Sequence, residues 1–381
     1  MKKKIIRITT IPISLKTLLK GQLEYMNQYF EVIAVSSGGV DFDEFLLQEK
    51  VKGVKINFNR KISPINDFVA LVQLVKLFRK EKPFIVHTHT LKAGLLGMIA
   101  AFIVRVPHRL HTVAGIYFLD MSGLKRKLFE LLERTTNSCA TMIYPNSFKM
   151  KEIMIMKNYS KLVNTKVIAN GSSNGIDINY FKKESVAISK VDIQNNLGIS
   201  NNSIVFCFVG RVRKDKGINE LINAFSKLYN EDPRVRLIVV GNFEKDMDPV
   251  DEMTEYNIYN HQGIVFVGFQ KDIRPYLLSS DVLVLPSYRE GFPNVVMQAG
   301  AMDLPCIVTN INGCNEIIVE SVNGFIVPPK DSLSLYTSMK RCSKNPDIVT
   351  EMASNARELI VSRFERKIIW EALLKEYNSL H

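Results

Sequence analysis

The residues best equipped for chemistry fall in two short segments. GRVRKDKG (210–217) places Arg211 and Lys216 in a turn closed by Gly217, directly after an apolar run at 203–209. Arg offers a planar fork of donors and Lys a mobile point charge, which together suit a diphosphate whose charge grows as it leaves. The second segment, DVLVLPSYREGFPNVVMQAG (281–300), reads as a buried strand stopping at Pro286, a polar turn, and a helix opening near Pro293. A helix start exposes unpaired backbone N–H groups and the positive end of a dipole, which suits a phosphate. Glu290, just ahead of it, can accept hydrogen bonds from sugar hydroxyls. The two segments together point to a site for a nucleotide diphosphate-sugar. Neither is a P-loop, since GxxxxGK[ST] and GxGxxG are absent, and alone 210–217 reads equally well as a solvated basic turn.

Strand-like runs alternate with helical spacing throughout the chain. Strands are predicted at 3–8, 31–36, 53–57, 84–88, 109–113, 141–144 and 166–169, with helices over 16–29, 64–81, 91–104, 122–138 and 147–158. The scheme repeats with strands at 203–209, 236–240, 264–268, 282–286, 305–309 and 324–327, and helices near 217–229, 271–279, 293–302 and 332–345. Short apolar strands alternating with helices imply parallel sheets covered on both faces, and two such series imply two doubly wound α/β domains. The Asn-, Ser- and Gly-rich stretch 170–202 is the best boundary, giving domains over 1–185 and 186–364, with a C-terminal helix (365–381) returning to the first through Trp370 and Tyr377. Ligands of such sheets bind outside the strands' carboxyl ends, which predicts a site in a cleft between the domains.

Composition narrows the function. Hydrophobic content of 46% and charged content of 23% describe a globular chain. Residues 1–185 carry 29 Lys+Arg against 14 Asp+Glu, a net +15, whereas the remainder is −3, so the whole excess lies in the first half. That asymmetry suits an anionic membrane surface, with amphipathic candidates at 16–29, 71–82 and 124–132. The same stretches would equally serve as sheet-covering helices. No nucleic-acid motif accompanies the charge, which argues against nucleic acid. No run of about 18 apolar residues is present and the N-terminus reads as a first strand. Five scattered cysteines imply buried thiols in a reducing cytoplasm.

VGRVRKDKG, VGFQKDI, SDVLVLPSYREGFPNVVM, LPCIVTNINGCNEII and NGFIVPPKD resemble the family 4 glycosyltransferases of GT-B fold. TTIPISL, HTHTLKAGLLG and NGSSNGID are similar to members that build bacterial capsule, O-antigen or other glycans on lipid carriers. The resemblance implies a retaining glycosyltransferase that moves a hexose or N-acetylhexosamine from a UDP-sugar to a lipid-linked saccharide, peripherally on the inner face of the plasma membrane. It implies that Arg211 and Lys216 hold the diphosphate and that Glu290, first acid of the family's E-x7-E motif, touches the donor sugar. The segment Gly291, Phe292, Pro293 and Asn294 would line the sugar and phosphate, with backbone N–H groups offered by all but Pro293; the turn from Gly268 and Phe269 to Ile273 would frame the base, and Gly21 would lie near the diphosphate.

Two positions depart from the family pattern. The second acid is Gln298, where Glu normally binds the ribose; a neutral acceptor there weakens the bond by about 1 kcal/mol. Ala114 stands where many relatives carry a His, leaving His89 and His111 as sugar or acceptor contacts or, equally, as structural hydrogen-bonders. In the family's same-face mechanism the leaving phosphate oxygen takes the acceptor's proton, so no protein base is obligatory. Asp41-Phe42-Asp43 and Asp246-Met247-Asp248 spell D-x-D without its usual context, and with fixed cations present no metal or other cofactor is expected. The rival readings are a UDP-N-acetylglucosamine 2-epimerase of the same fold and a degenerate nucleotide-sugar binder.

Overall fold

The computed structural model describes residues 2–59, 63–116, 118–119, 121–245 and 248–381. The chain forms two compact units, one running to Asn174 and completed by Lys367–His381, the other Gly175–Arg366. The division thus falls at Asn174/Gly175 instead of 185/186. Residues after Gly175 belong with the second unit because Ile176 bridges Glu365 and Asp177 pairs with Arg366 at 2.9 Å.

The first unit contains β1 (Lys4–Ile8), α1 (Pro12–Leu18), α2 (Gln22–Asn27), β2 (Glu31–Ser36), α3 (Val40–Glu49), β3 (Lys52–Lys55) and α4 (Pro64–Glu81). It continues through β4 (Ile85–Thr88), α5 (Leu91–Val104), β5 (His108–Val113), α6 (Gly123–Cys139), β6 (Met142–Pro145) and α7 (Phe148–Met156). The second unit contains α8 (Lys190–Asn196), β7 (Val205–Val209), α9 (Ile218–Glu231), β8 (Arg236–Val240), α10 (Glu252–Asn260), β9 (Ile264–Gly268) and α11 (Arg274–Leu278). There follow β10 (Val282–Leu285), α12 (Asn294–Ala301), β11 (Cys306–Thr309), α13 (Cys314–Ile317), β12 (Gly324–Val327), α14 (Ser332–Lys344) and α15 (Pro346–Phe364), before α16 (Arg366–Asn378).

Both sheets are parallel, ordered β3-β2-β1-β4-β5-β6 and β12-β11-β10-β7-β8-β9. Counted from its own first strand, the second sheet has the order of the first: strands one and four are neighbours, and the winding reverses between them. The central strands are apolar because helices cover both faces: Phe206, Phe208, Leu283 and Val284 are fully buried, as are Ile6, Ile8 and Val86. The returning helix is tied to the first unit by Trp370 Nε1, which donates to Asn174 Oδ1 at 2.6 Å, and by the Tyr377 hydroxyl, which takes a bond from Arg7 at 3.0 Å.

Two predicted elements differ. Residues 166–169 are not a strand: Lys166 N makes one bond to Ile143 O, then Ala169 enters the left-handed region (φ 48) and the chain turns away. The helix predicted over 16–29 is two, α1 and α2, divided at Gly21 (φ 81). Helices α3, α8, α10 and α13 were not expected. All five cysteines are free thiols and four of them are buried.

Candidate active site

β7 and β10 are the neighbours between which the second sheet reverses its winding, so their carboxyl ends border the crevice where doubly wound sheets take ligands. The loop carrying Arg211 and Lys216 follows β7, and the loop carrying Glu290 follows β10. These loops pack directly on each other. Gly217 sits in the left-handed region (φ 68), and a Cβ there would lie 2.0 Å from the Pro286 carbonyl oxygen, so only glycine fits. Tyr288 N donates to Asp215 O at 2.9 Å across the same seam.

This close approach delivers the central contact. Lys216 Nζ donates to Glu290 Oε1 at 2.5 Å. The two side chains are only 13% and 15% exposed, so the pair is largely withdrawn from water. The Ser287 hydroxyl donates to the same oxygen at 2.8 Å. Behind them, the β11 loop fixes the Glu290 backbone: Thr309 Oγ1 donates to Ser287 O at 2.5 Å, and Asn312 Nδ2 to Glu290 O at 2.5 Å. Gly313 (φ 79) completes that support, since a Cβ would meet Gly291 O at 2.6 Å. Sequence reasoning missed Thr309, Asn312 and Ser287; the Asn-Gly turn signal at 312–313 was the available cue.

The two arginines of the first loop divide. Arg211 is 53% exposed and touches Glu244 at 3.3 Å, leaving most of its fork open to solvent. Arg213 is buried between Asp215 at 3.0 Å and Glu244 at 3.1 Å and braces the loop. Beyond Gly291 and Phe292, α12 begins after Pro293 with no side-chain cap on its first N–H groups. Gln298 lies one turn past Asn294 on α12, half-buried, and its side chain makes no hydrogen bond among the described residues. Gly268 (φ 66) ends β9; the following Phe269 N donates to Asn242 Oδ1 at 3.0 Å, and Ile273 opens α11.

Three predicted contacts lie in the first unit. Gly21 N donates to Glu49 Oε1 at 2.5 Å, and Leu23 N and Glu24 N donate to the other carboxylate oxygen. The donors expected to approach a diphosphate at Gly21 are therefore occupied by the chain's own carboxylate. His89 is buried and accepts from Arg7 Nε at 3.1 Å; His111 is buried against Thr88 Oγ1 at 2.8 Å. Burial pushes His89 and its neighbour His87 well below the usual imidazole range, and His111 down to about 4. They stand as neutral core hydrogen-bonders, not as surface contacts. Asp41 and Asp43 lie on the first turn of α3, paired with Lys16 at 2.7 Å and Lys55 at 2.8 Å. Asp246 and Met247 of the second D-x-D lie outside the described residues.

Family models match both halves of the chain: Glycosyl transferase 4-like domain over residues 29–171 and Glycosyl transferases group 1 over residues 189–359. The chain belongs to the group 1 glycosyltransferases. It is 32% identical over 378 residues to the capsular polysaccharide biosynthesis glycosyltransferase CapM of Staphylococcus aureus, covering 99% of this chain and 97% of that protein. It is 35% identical over 312 residues to the UDP-Gal:alpha-D-GlcNAc-diphosphoundecaprenol alpha-1,3-galactosyltransferase of Escherichia coli, covering 80% of this chain and 78% of the relative. The crystal structure of Anabaena Alr3699/HepE in complex with UDP superposes with a TM-score of 0.82 at 21% identity, covering 100% of both chains. That likeness concerns the fold, and the transferase has the GT-B architecture of two doubly wound units.

Proposed function

We propose that the transferase moves a hexose or N-acetylhexosamine from a UDP-sugar to a lipid-linked saccharide, with retention of anomeric configuration, in the synthesis of a bacterial surface polysaccharide. The observation that carries this reading is the Lys216–Glu290 pair, held at 2.5 Å at the crevice between β7 and β10. A diphosphate arriving there finds Lys216, the exposed fork of Arg211 and the open start of α12. As Lys216 turns to phosphate, Glu290 is released to accept bonds from the sugar hydroxyls. Gly291 to Asn294 line the sugar and phosphate, Gln298 takes the ribose, and the turn Gly268–Ile273 borders the base.

The sugar C1–O bond to phosphate breaks as the acceptor oxygen bonds C1 on the same face, and the acceptor's proton passes to the departing phosphate oxygen. The chain's own contribution is to hold the donor and to stabilise the charge gathering on the diphosphate. Fixed cations do this without a metal. The UDP donor and the lipid-linked acceptor are supported by the name of the Escherichia coli relative and by the UDP complex of the Anabaena protein. Attachment to an anionic membrane is supported by the charge: the first unit holds 29 Lys+Arg against 14 Asp+Glu. No helix among the described residues is long and apolar enough to cross a membrane. The test is UDP release from UDP-sugars with and without a diphosphoprenyl-linked saccharide, with the anomeric coupling of the product read by NMR. Release that never depends on acceptor, or an inverted product, would overturn the reading.

A further inference from the structure

The first sheet reverses its winding between β1 and β4, and outside their carboxyl ends lies a cavity of about 540 Å3. Thr10 and Thr90, hydroxyls 2.7 Å apart, form its floor at the strand ends. Its walls are largely apolar, with Leu91 and Leu95 from α5 and Leu128 and Leu132 from α6, beside Ser14, Asp67 and Lys92. A crevice of this size at a topological switch point is the ordinary place for a small-molecule site. Nothing in the Lys216–Glu290 chemistry uses it.

Two further features specify its occupant. The helices that line the cavity carry apolar side chains open to solvent: Ile65 and Phe68 on α4 are 80% and 65% exposed, and Leu124 and Leu131 on α6 are 83% and 60% exposed. Each lies within one helical turn of a residue lining the cavity. α4 buries Ala70, Leu74 and Phe78 as an ordinary sheet-covering helix does, whereas the buried residues of α6 are the polar Glu133, Thr136 and Asn137. Cations stand beside these surfaces. Lys125 lies on the same stripe of α6 as Leu128, Phe129 and Leu132, exposed and without a carboxylate partner among the described residues. Lys92, in the cavity wall, is paired with Asp67 at 2.8 Å. A largely apolar chamber, exposed apolar side chains on the helices that line it and a lysine one turn before Leu128 and Phe129 on α6 match a hydrocarbon chain carrying a phosphate head.

We infer that this cavity binds the first part of the prenyl chain of the lipid-linked acceptor, with the adjoining phosphate at Lys125. The inference rests on the transferase reading above and names how the lipid end of the acceptor is held. A chain withdrawn from water in this chamber gives affinity that grows by about fourfold per buried methylene.

The test uses the full-length protein and prenyl monophosphates of five, ten, fifteen and twenty carbons below their micellar concentrations, measured by equilibrium dialysis. Affinity should rise steeply with length until the cavity is filled. Leu128→Asp and Leu95→Trp, one charging and one filling the chamber, should each weaken the fifteen-carbon probe at least tenfold while leaving UDP binding and the melting temperature unchanged. Length-independent affinity, or full affinity in both variants, would overturn the inference. So would equal displacement of the probe by phosphatidylglycerol vesicles, which would make a bilayer lipid the occupant. Transfer assays separate this from the parent reading. Undiminished transfer by Leu128→Asp to a long-chain acceptor refutes the cavity alone. Absence of transfer by the unmodified protein to every lipid-linked acceptor, with prenyl phosphates still bound, refutes the transferase reading alone.

Discussion

Replacing Lys216 with Met keeps the aliphatic stem and removes the charge, and the outcome separates a donor-binding lysine from a structural one. In the free protein Lys216 and Glu290 are each about six-sevenths withdrawn from water and 2.5 Å apart. Removing one partner of a fully buried pair costs about 3–5 kcal/mol. Glu290 retains the Ser287 hydroxyl and some water, so the expected loss of stability is about 2 kcal/mol. Glu290→Gln should cost a similar amount, and the double variant less than the sum by about 1 kcal/mol or more, because neither charge is then stranded. Catalysis should not follow that pattern. Each single variant should lose at least tenfold in kcat/KM, about 1.4 kcal/mol of transition-state stabilisation, and the double variant should recover none of it. Urea unfolding and UDP-release kinetics measure the two quantities on the same samples. Turnover restored in the double variant along with stability would show a purely structural pair. Near-normal turnover by Lys216→Met would remove the diphosphate assignment altogether.

Gln298→Glu should keep or tighten UDP binding by calorimetry, because a carboxylate makes the stronger bond to ribose; a folded Glu variant unable to bind UDP would count against Gln298 as the ribose contact. Turnover should survive excess EDTA, and loss of activity restored by magnesium or manganese would show that the fixed cations are insufficient. Acid should unfold the first unit early. His87, His89 and His111 are neutral in the fold with depressed pKa values, so below about pH 6.5 only the unfolded chain takes up protons. Stability is then lost as pH falls from 6.5 toward 4, by up to about 4 kcal/mol per pH unit for three such groups, and a flat urea midpoint over that range would refute their burial. Lys125→Glu with Lys127→Glu should release the protein from phosphatidylglycerol vesicles by at least about tenfold in sedimentation, with UDP binding intact. Arg126 is left unchanged because it pairs with Glu130 at 2.9 Å. Equal binding of both proteins to anionic and neutral vesicles would exclude the electrostatic attachment.

What the sequence shows depends on how local its cause is. Helices α4 and α5 fall where predicted, at 64–81 and 91–104, because Pro64 opens one, whose apolar residues recur at helical spacing, and a long unbroken apolar run makes up most of the other. Helix α3 escapes because VDFDEFLLQE opens on acids after two glycines and its apolar stripe spans barely two turns. The false strand at 166–169 has the right residue types, yet the left-handed Ala169 behind it ends pairing after one bond. The same distinction governs the site. Arg211, Lys216 and Glu290 could be singled out because strand-to-helix turns carry Gly and Pro punctuation. Their convergence could not, since it depends on β7 and β10 being neighbours although two strands separate them in the chain. Gly21 is the converse case: its local geometry was legible, but Glu49, brought from the end of α3, fills the donors that geometry provides.

The two sheets share one strand order, and their reversal points differ only in what the loops bring there. At β7 and β10 the loops bring two cations, a carboxylate and an uncapped helix start, and glycines let the backbones touch. At β1 and β4 they bring threonines at the strand ends and leucines above, bordering a chamber. Close backbone approach concentrates fixed dipoles and charge, which suits a diphosphate; separation by branched side chains leaves volume without polarity, which suits a hydrocarbon. A transfer from a charged donor to a lipid-borne acceptor needs one site of each kind. A duplicated winding supplies both, because the crevice is set by topology while its polarity is set by a few loop residues.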